Sequence, residues 1–186
     1  AKAITDSNGV QHPSSIFSHW SKSELADIGI YPVTPATAVD NRFYTQSDVS
    51  YSYKDGVVTE TLSSSAKAIA DVTVTDSDGV VQKNSDGTTM ITTGLITQYK
   101  TDIDNQAYNL LKSSDWMAVR QYETGVSMSD DWKTYRAGVR TKAAEMKTAV
   151  SAITSIGALQ SLHIVRDADN SIASGVLYNF GVAPTE

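Results

Sequence analysis

Near Leu95 the apolar residues of this chain change their spacing, and the change limits what each half can fold into. Before it, Val49, Tyr51 and Tyr53 alternate with small polar residues, the period of a strand with one apolar face. After it, Leu95, Tyr99, Ile103, Ala107 and Leu110/Leu111 recur every three or four residues, which is one face of a helix. Ser, Thr, Val, Tyr and Asp-Gly pairs crowd the first half, and Ala/Leu/Lys-rich stretches fill the second. The expected class is therefore α+β: N-terminal antiparallel β-hairpins or a small sheet, then a C-terminal helical hairpin or three-helix bundle. Three portions follow: a β-rich docking portion over 1–91, a helical portion over 92–160, and a C-terminal hairpin or extended tail over 161–186.

Turn and cap residues place the elements. Asn8-Gly9 closes a short hairpin between Ala3 and His12, because tight hairpins demand positive φ angles. Ser21 with Glu24 three residues later is a capping box, opening a helix of one or two turns that ends at Gly29 and turns Trp20, Leu25 and Ile28 inward. Pro32 and Pro35 keep 30–35 extended. Asp55-Gly56 closes the hairpin of 42–62; a second hairpin is expected over 70–82, turning at Asp76–Gly79, with a further turn at Ser85–Gly87. The helix from Leu95 stops near Lys112–Ser114. Asp115 is expected to cap a second helix, inward through Trp116, Val119 and Tyr122 and ended by Gly125. Ser129 or Asp130 starts a third, with Trp132, Tyr135, Val139, Ala143, Met146, Val150 and Ile153 on one stripe.

Composition narrows the function classes. The 186 residues include no Cys, which excludes disulfides, thiolate metal sites and a Cys nucleophile. A net charge of −6 argues against broad nucleic-acid binding. No apolar run approaches the ~20 residues that span a bilayer, and no signal-peptide core opens the chain. The expectation is a soluble protein with no nucleic-acid partner and no membrane insertion.

The candidate chemistry is sparse. His12, His19 and His163 show no helical metal-ligand spacing, and no H-E-x-x-H occurs. No G-x-S-x-G elbow supports a Ser-His-Asp triad, and no Gly-rich phosphate loop is present. Carboxylates that would invite a glycosidase reading sit in turns (Asp55, Asp76, Asp78, Asp86, Asp167 and Asp169), where Asp bonds its own backbone. Asp76-x-Asp78-Gly79 begins like a calcium loop but lacks the acidic residue at its twelfth position. The reading assigns no catalytic residue, no metal and no cofactor. Tyr31, Tyr44, Tyr51 and Tyr53 are either half-buried sheet residues or an interaction surface for protein or carbohydrate. Trp116, Trp132 and Tyr135 are expected in the core, and Arg120, Arg136 and Arg140 on helix surfaces or in inter-helix pairs.

One segment carries a resemblance. Leu110-Leu111-Lys112-Ser113-Ser114-Asp115-Trp116, Arg120, and then Trp132, Tyr135-Arg136 and Val139-Arg140 resemble the LL-x-x-(S/T)DW-x-x-x-R … YR-x-x-(L/V)R segment of small tailed-phage proteins associated with tail fibres and their assembly. Phe17–Ile30 and Val72–Leu95 resemble small virion-associated phage proteins, and residues after Ser161 depart from the pattern. The resemblance implies a non-enzymatic structural or adaptor protein of the virion tail, made in the host cytoplasm and attached to the tail fibre or baseplate. Its implied partners are other tail, fibre or baseplate proteins and further copies of itself, a trimer included. It implies that Asp115, Trp116, Arg120, Trp132, Tyr135 and Arg136 fix a helical hairpin. The competing expectations are a tail-fibre assembly chaperone and a protein that binds or degrades host-surface glycans.

Overall fold

The computed structural model describes residues 3–6 and 8–184, and the chain divides into two compact units, Ala1–Ala66 and Lys67–Glu186. It is an α+β protein in which the longest strands belong to the first unit and the longest helices to the second.

The first unit opens with the expected hairpin, β1 (Ile4–Thr5) against β2 (Gln11–His12). Asp6 closes it: its Oδ1 accepts from the N–H groups of Asn8 and Val10, and its Oδ2 lies 3.1 Å from His12 Nε2. A short helix the sequence did not announce, α1 (Ile16–His19), buries Ile16. It is followed by α2 (Lys22–Asp27), where Ser21 and Glu24 form the full capping box. Trp20, Leu25 and Ile28 are half-buried.

Next come β3 (Val33–Thr34), β4 (Tyr44–Lys54) and β5 (Val57–Ala66), a sheet of order β3-β5-β4. The expected hairpin of β4 and β5 turns through Asp55 and Gly56 with φ of 52° and 82°, the pair of positive angles a two-residue turn needs. β3 adds a parallel pairing to this hairpin, running beside β5 with Val33 opposite Val58. Proline favours this position, since an edge strand tolerates a missing N–H; Pro32 O instead accepts from Val58 N at 3.0 Å. A bulge between Gln46 and Val49 sets Ser47 and Asp48 against Ser63.

In the second unit, β6 (Val72–Thr73) pairs with β7 (Ile91–Thr92). The expected hairpin turning at Asp76–Gly79 joins 74–76 to 80–82 through the Thr75–Val81 bridge, and a further turn at Asn84–Gly87 brings Lys83 to Thr89. This meander leads into α3 (Leu95–Lys112) at a close crossing: the N–H groups of Leu95 and Ile96 bond Ala68 O and Ile69 O. A Cβ on Gly94 would stand 2.3 Å from the Ala70 carbonyl, so only glycine fits.

Two helices follow, α4 (Asp115–Thr124), ended by Gly125, and α5 (Asp130–Ser151), capped by Ser129. α3 and α5 pack antiparallel: Arg136 near the start of α5 meets Leu111 at the end of α3, and Lys147 near its end meets Asp104. Leu95, Tyr99, Ile103 and Ala107 face Tyr135, Val139, Ala143, Met146 and Val150 across a core that matches the expected stripes. A third short helix, α6 (Ile156–Ser161), adds Ile156 and Leu159. The chain then forms a small hairpin, β8 (Val165–Arg166) with β9 (Ile172–Ser174). Its last described stretch sends Leu177 and Phe180 back into the core, with Tyr178 N donating to Met146 Sδ at 3.2 Å. No described helix is long and apolar enough to cross a membrane.

Candidate functional site

The residues of the Asp-Trp to Tyr-Arg segment converge on one buried cation. Arg136 on α5 is 8% exposed; its Nη1 donates to Leu111 O at 2.8 Å and to Ser114 Oγ at 2.6 Å, and its Nη2 to Asp115 Oδ1 at 2.7 Å. One guanidinium thus joins the Leu111 carbonyl at the end of α3, which also accepts from the N–H and hydroxyl of Ser114, to the wholly buried Ser114 of the turn and the first residue of α4. On the same helix Trp132 and Tyr135 make an edge-to-face contact, ring centroids 5.7 Å apart. This is a structural joint of three helices.

The joint corrects two expectations. Asp115 does not cap α4: Ser114 holds the cap position, and the Asp115 carboxylate is taken by Arg136. The Trp116–Val119–Tyr122 stripe does not face the core. Anchoring Asp115 sets the rotation of α4 so that Met117 is buried, while Trp116 is 49% and Tyr122 93% exposed. Arg120 lies 4.8 Å above the Trp116 ring, a cation–π contact, and its Nε is buried with no hydrogen-bond partner among the described residues. Trp132 is half-buried and Tyr135 buried. The outer face of α4 is therefore an aromatic surface open to solvent.

The four tyrosines of the first unit lie in two environments. Tyr44, at the start of β4, and Tyr31 are half-buried. Tyr51 and Tyr53 are 61% and 59% exposed, which corrects the half-buried reading of the alternating strand. They share one face with Val49, also exposed. Tyr31 leans on Tyr53 with centroids 4.5 Å apart, and their hydrogen bond raises the Tyr31 phenol above its ordinary pKa. Tyr51 Oη donates to Glu60 Oε1 at 3.0 Å, which raises that phenol as well. Glu60 Oε2 in turn accepts from Ala36 N at 3.1 Å. The aromatic face is thus held in place by its own hydrogen bonds. The alternating pattern marked it from sequence, but nothing in the pattern says whether a strand face is covered.

The polar groups that invited chemical readings are used locally. Asp76 Oδ1 accepts from the N–H groups of Asp78 and Val80, and Asp86 and Asp169 bond their own turns, as the turn reading expected. His19 bonds Ser15 O at 2.8 Å, and His163 Nε2 lies 2.9 Å from Tyr99 Oη. Among the described residues no three His, Cys, Asp or Glu side chains group as a metal site. An open cleft of about 440 Å³ is bordered by Gln106, Asn109, Arg166 and Tyr178, whose phenol is pushed up to about 12 by burial. No family of known proteins, no curated protein and no solved structure matches this chain.

Proposed function

We propose that this chain is a non-enzymatic structural or adaptor protein that works through docking surfaces, and that its place is the tail of a phage virion, at the fibre or baseplate. The observation that carries the docking reading is the aromatic surface left open on each unit: Tyr51 and Tyr53 on β4, and Trp116, Val119 and Tyr122 on α4. Large apolar side chains held outward by fixed neighbours stabilise little in a lone chain and much at an interface, where aromatic residues dominate binding energy. The Arg136 joint supports the same reading, since it holds the α4 face at a fixed orientation. The assignment to a phage tail rests on the sequence resemblance of the Asp115-Trp116 to Tyr135-Arg136 segment.

Mass spectrometry of purified particles of the encoding phage tests this place. The chain is expected at a fixed stoichiometry to fibre or baseplate proteins, and its absence from particles overturns the assignment. Absence from particles combined with misfolded fibres in a deletion strain would point to an assembly chaperone instead.

A further inference from the structure

β4 stands at the edge of its sheet, and the Asp55-Gly56 turn determines which of its backbone groups are already bonded. Lys54 and Val57 flank a two-residue turn, so they exchange both their hydrogen bonds; alternation gives Ser52 with Thr59 and Ser50 with Thr61 the same role. Val58 N, one residue out of step, donates to Pro32 O on the opposite side, as this pattern requires. The N–H and C=O groups of Val49, Tyr51 and Tyr53 therefore point away from β5, on the side where no strand lies among the described residues. These are the same residues whose apolar side chains are exposed.

We propose that β4 pairs antiparallel with β4 of a second copy of this chain, about a two-fold axis at Tyr51. In that register Tyr51 meets its own counterpart, and Val49 meets Tyr53 of the second copy. All three positions have outward backbone groups, so every bond of the new ladder finds a partner. Asp48 falls opposite Lys54 of the second copy, and the symmetry makes that ion pair twice. The two β4–β5 hairpins and their β3 strands then form one six-stranded sheet with the tyrosines on a continuous face.

Other registers fail on the same residues. Parallel in-register pairing sets Asp48 on Asp48 and Lys54 on Lys54. Sliding the antiparallel pair by two residues drives Tyr53 against Ser47 in the bulge, or Val49 against Asp55 in the turn. The bulge and turn thus bound a segment that fits itself in one register.

The self-complementary placement of Asp48 and Lys54 argues for a second copy as the occupant, since one strand supplies both charges of the pair. In the first unit only Ile16 and Phe43 are buried apolar side chains among the described residues. So small a core ordinarily needs a disulfide, a metal or oligomerisation, and the chain has no Cys.

This inference rests on reading β4 as a docking surface, and cysteine cross-linking of the full chain tests it. Ser50 and Ser52 of the two copies would face each other in a non-hydrogen-bonded pair, about 4.5 Å between Cα atoms and within disulfide reach. A mixture of Ser50→Cys chains and Ser52→Cys chains is expected to give a disulfide-linked dimer under mild oxidation. Either variant alone is not, because like positions then stand beyond the ~7 Å limit. In sedimentation, Asp48→Lys or Lys54→Asp alone should weaken the dimer about tenfold, and the double exchange should restore it. A monomer at every concentration, a trimer, a mixture that fails to cross-link, or a double exchange that fails to rescue overturns the pairing. Absence of the chain from virions would remove the tail assignment and leave the pairing standing; a failed cross-link would do the reverse.

Discussion

Arg136 donates three hydrogen bonds from a buried guanidinium, two into the turn after α3 and one to the half-exposed Asp115 carboxylate. Arg136→Met keeps the apolar stem but removes the donors to Leu111 O, Ser114 Oγ and Asp115, leaving Leu111 O with the Ser114 N–H and hydroxyl; it should cost about 1–3 kcal/mol in urea unfolding. Asp115→Asn should cost less than about 1 kcal/mol, because that carboxylate is half exposed. A reversal of this order would show that the ion pair, rather than the backbone carbonyl and hydroxyl, holds the joint. Tyr51 gives a second residue-scale test. Its bond to Glu60 raises the phenol, so the bond persists below the ordinary pKa and is lost as pH rises through the higher folded value. Phenolate absorbance should show Tyr51 among the late-titrating tyrosines, with Tyr31 and Tyr178, and Glu60→Gln should bring one of them back toward the ordinary value. From sequence, Arg136 is legible only as two alternatives, a helix-surface residue or, beside Tyr135, a partner in an inter-helix contact. Which acceptors it takes was not legible, because two of the three belong to backbone and turn.

Among the elements, caps carried more information than apolar stripes. Ser21 and Glu24 form the capping box their spacing announced, and Ser21→Ala should cost about 1 kcal/mol, read by thermal unfolding. Glu24 is held below its ordinary pKa by the Ser21 N–H, so the box is intact above that ordinary value and lost as pH falls through the lower one. Far-ultraviolet circular dichroism should show a small helix loss in that window, absent in Glu24→Gln. The entry to α3 makes the opposite kind of test: Gly94→Ala drives a methyl group into the Ala70 carbonyl and should cost about 1–3 kcal/mol. The long periods of α3 and α5 were readable because both helices bury one stripe against each other. α4 was misread in orientation, since over ten residues its exposed Trp116–Tyr122 stripe is as periodic as a buried one. The parallel placement of β3 was hidden for another reason: two residues carry no register signal, and Glu60 and Pro32, far apart in sequence, decide it.

At the scale of the whole molecule, apolar burial is divided unequally. The core of the second unit runs from Leu95 to Phe180, whereas the first unit rests on Ile16, Phe43 and hydrogen-bonded turns. A fragment beginning at Lys67 is therefore expected to fold cooperatively by itself, and hydrogen exchange in the full chain should protect α3 and α5 far longer than β4 and β5. Equal protection would contradict this division. The contact that closes the core of the second unit is also its chemical weak point. Met146 is almost wholly enclosed, and its sulfur accepts the backbone N–H through which the segment carrying Leu177 and Phe180 is tied down. Conversion of that thioether to the sulfoxide puts a polar oxygen into this enclosed contact and weakens its hold on the Tyr178 N–H. An oxidant that reached it would pry the last strap loose, leaving a damaged chain recognisable by newly cleavable bonds after Gly175.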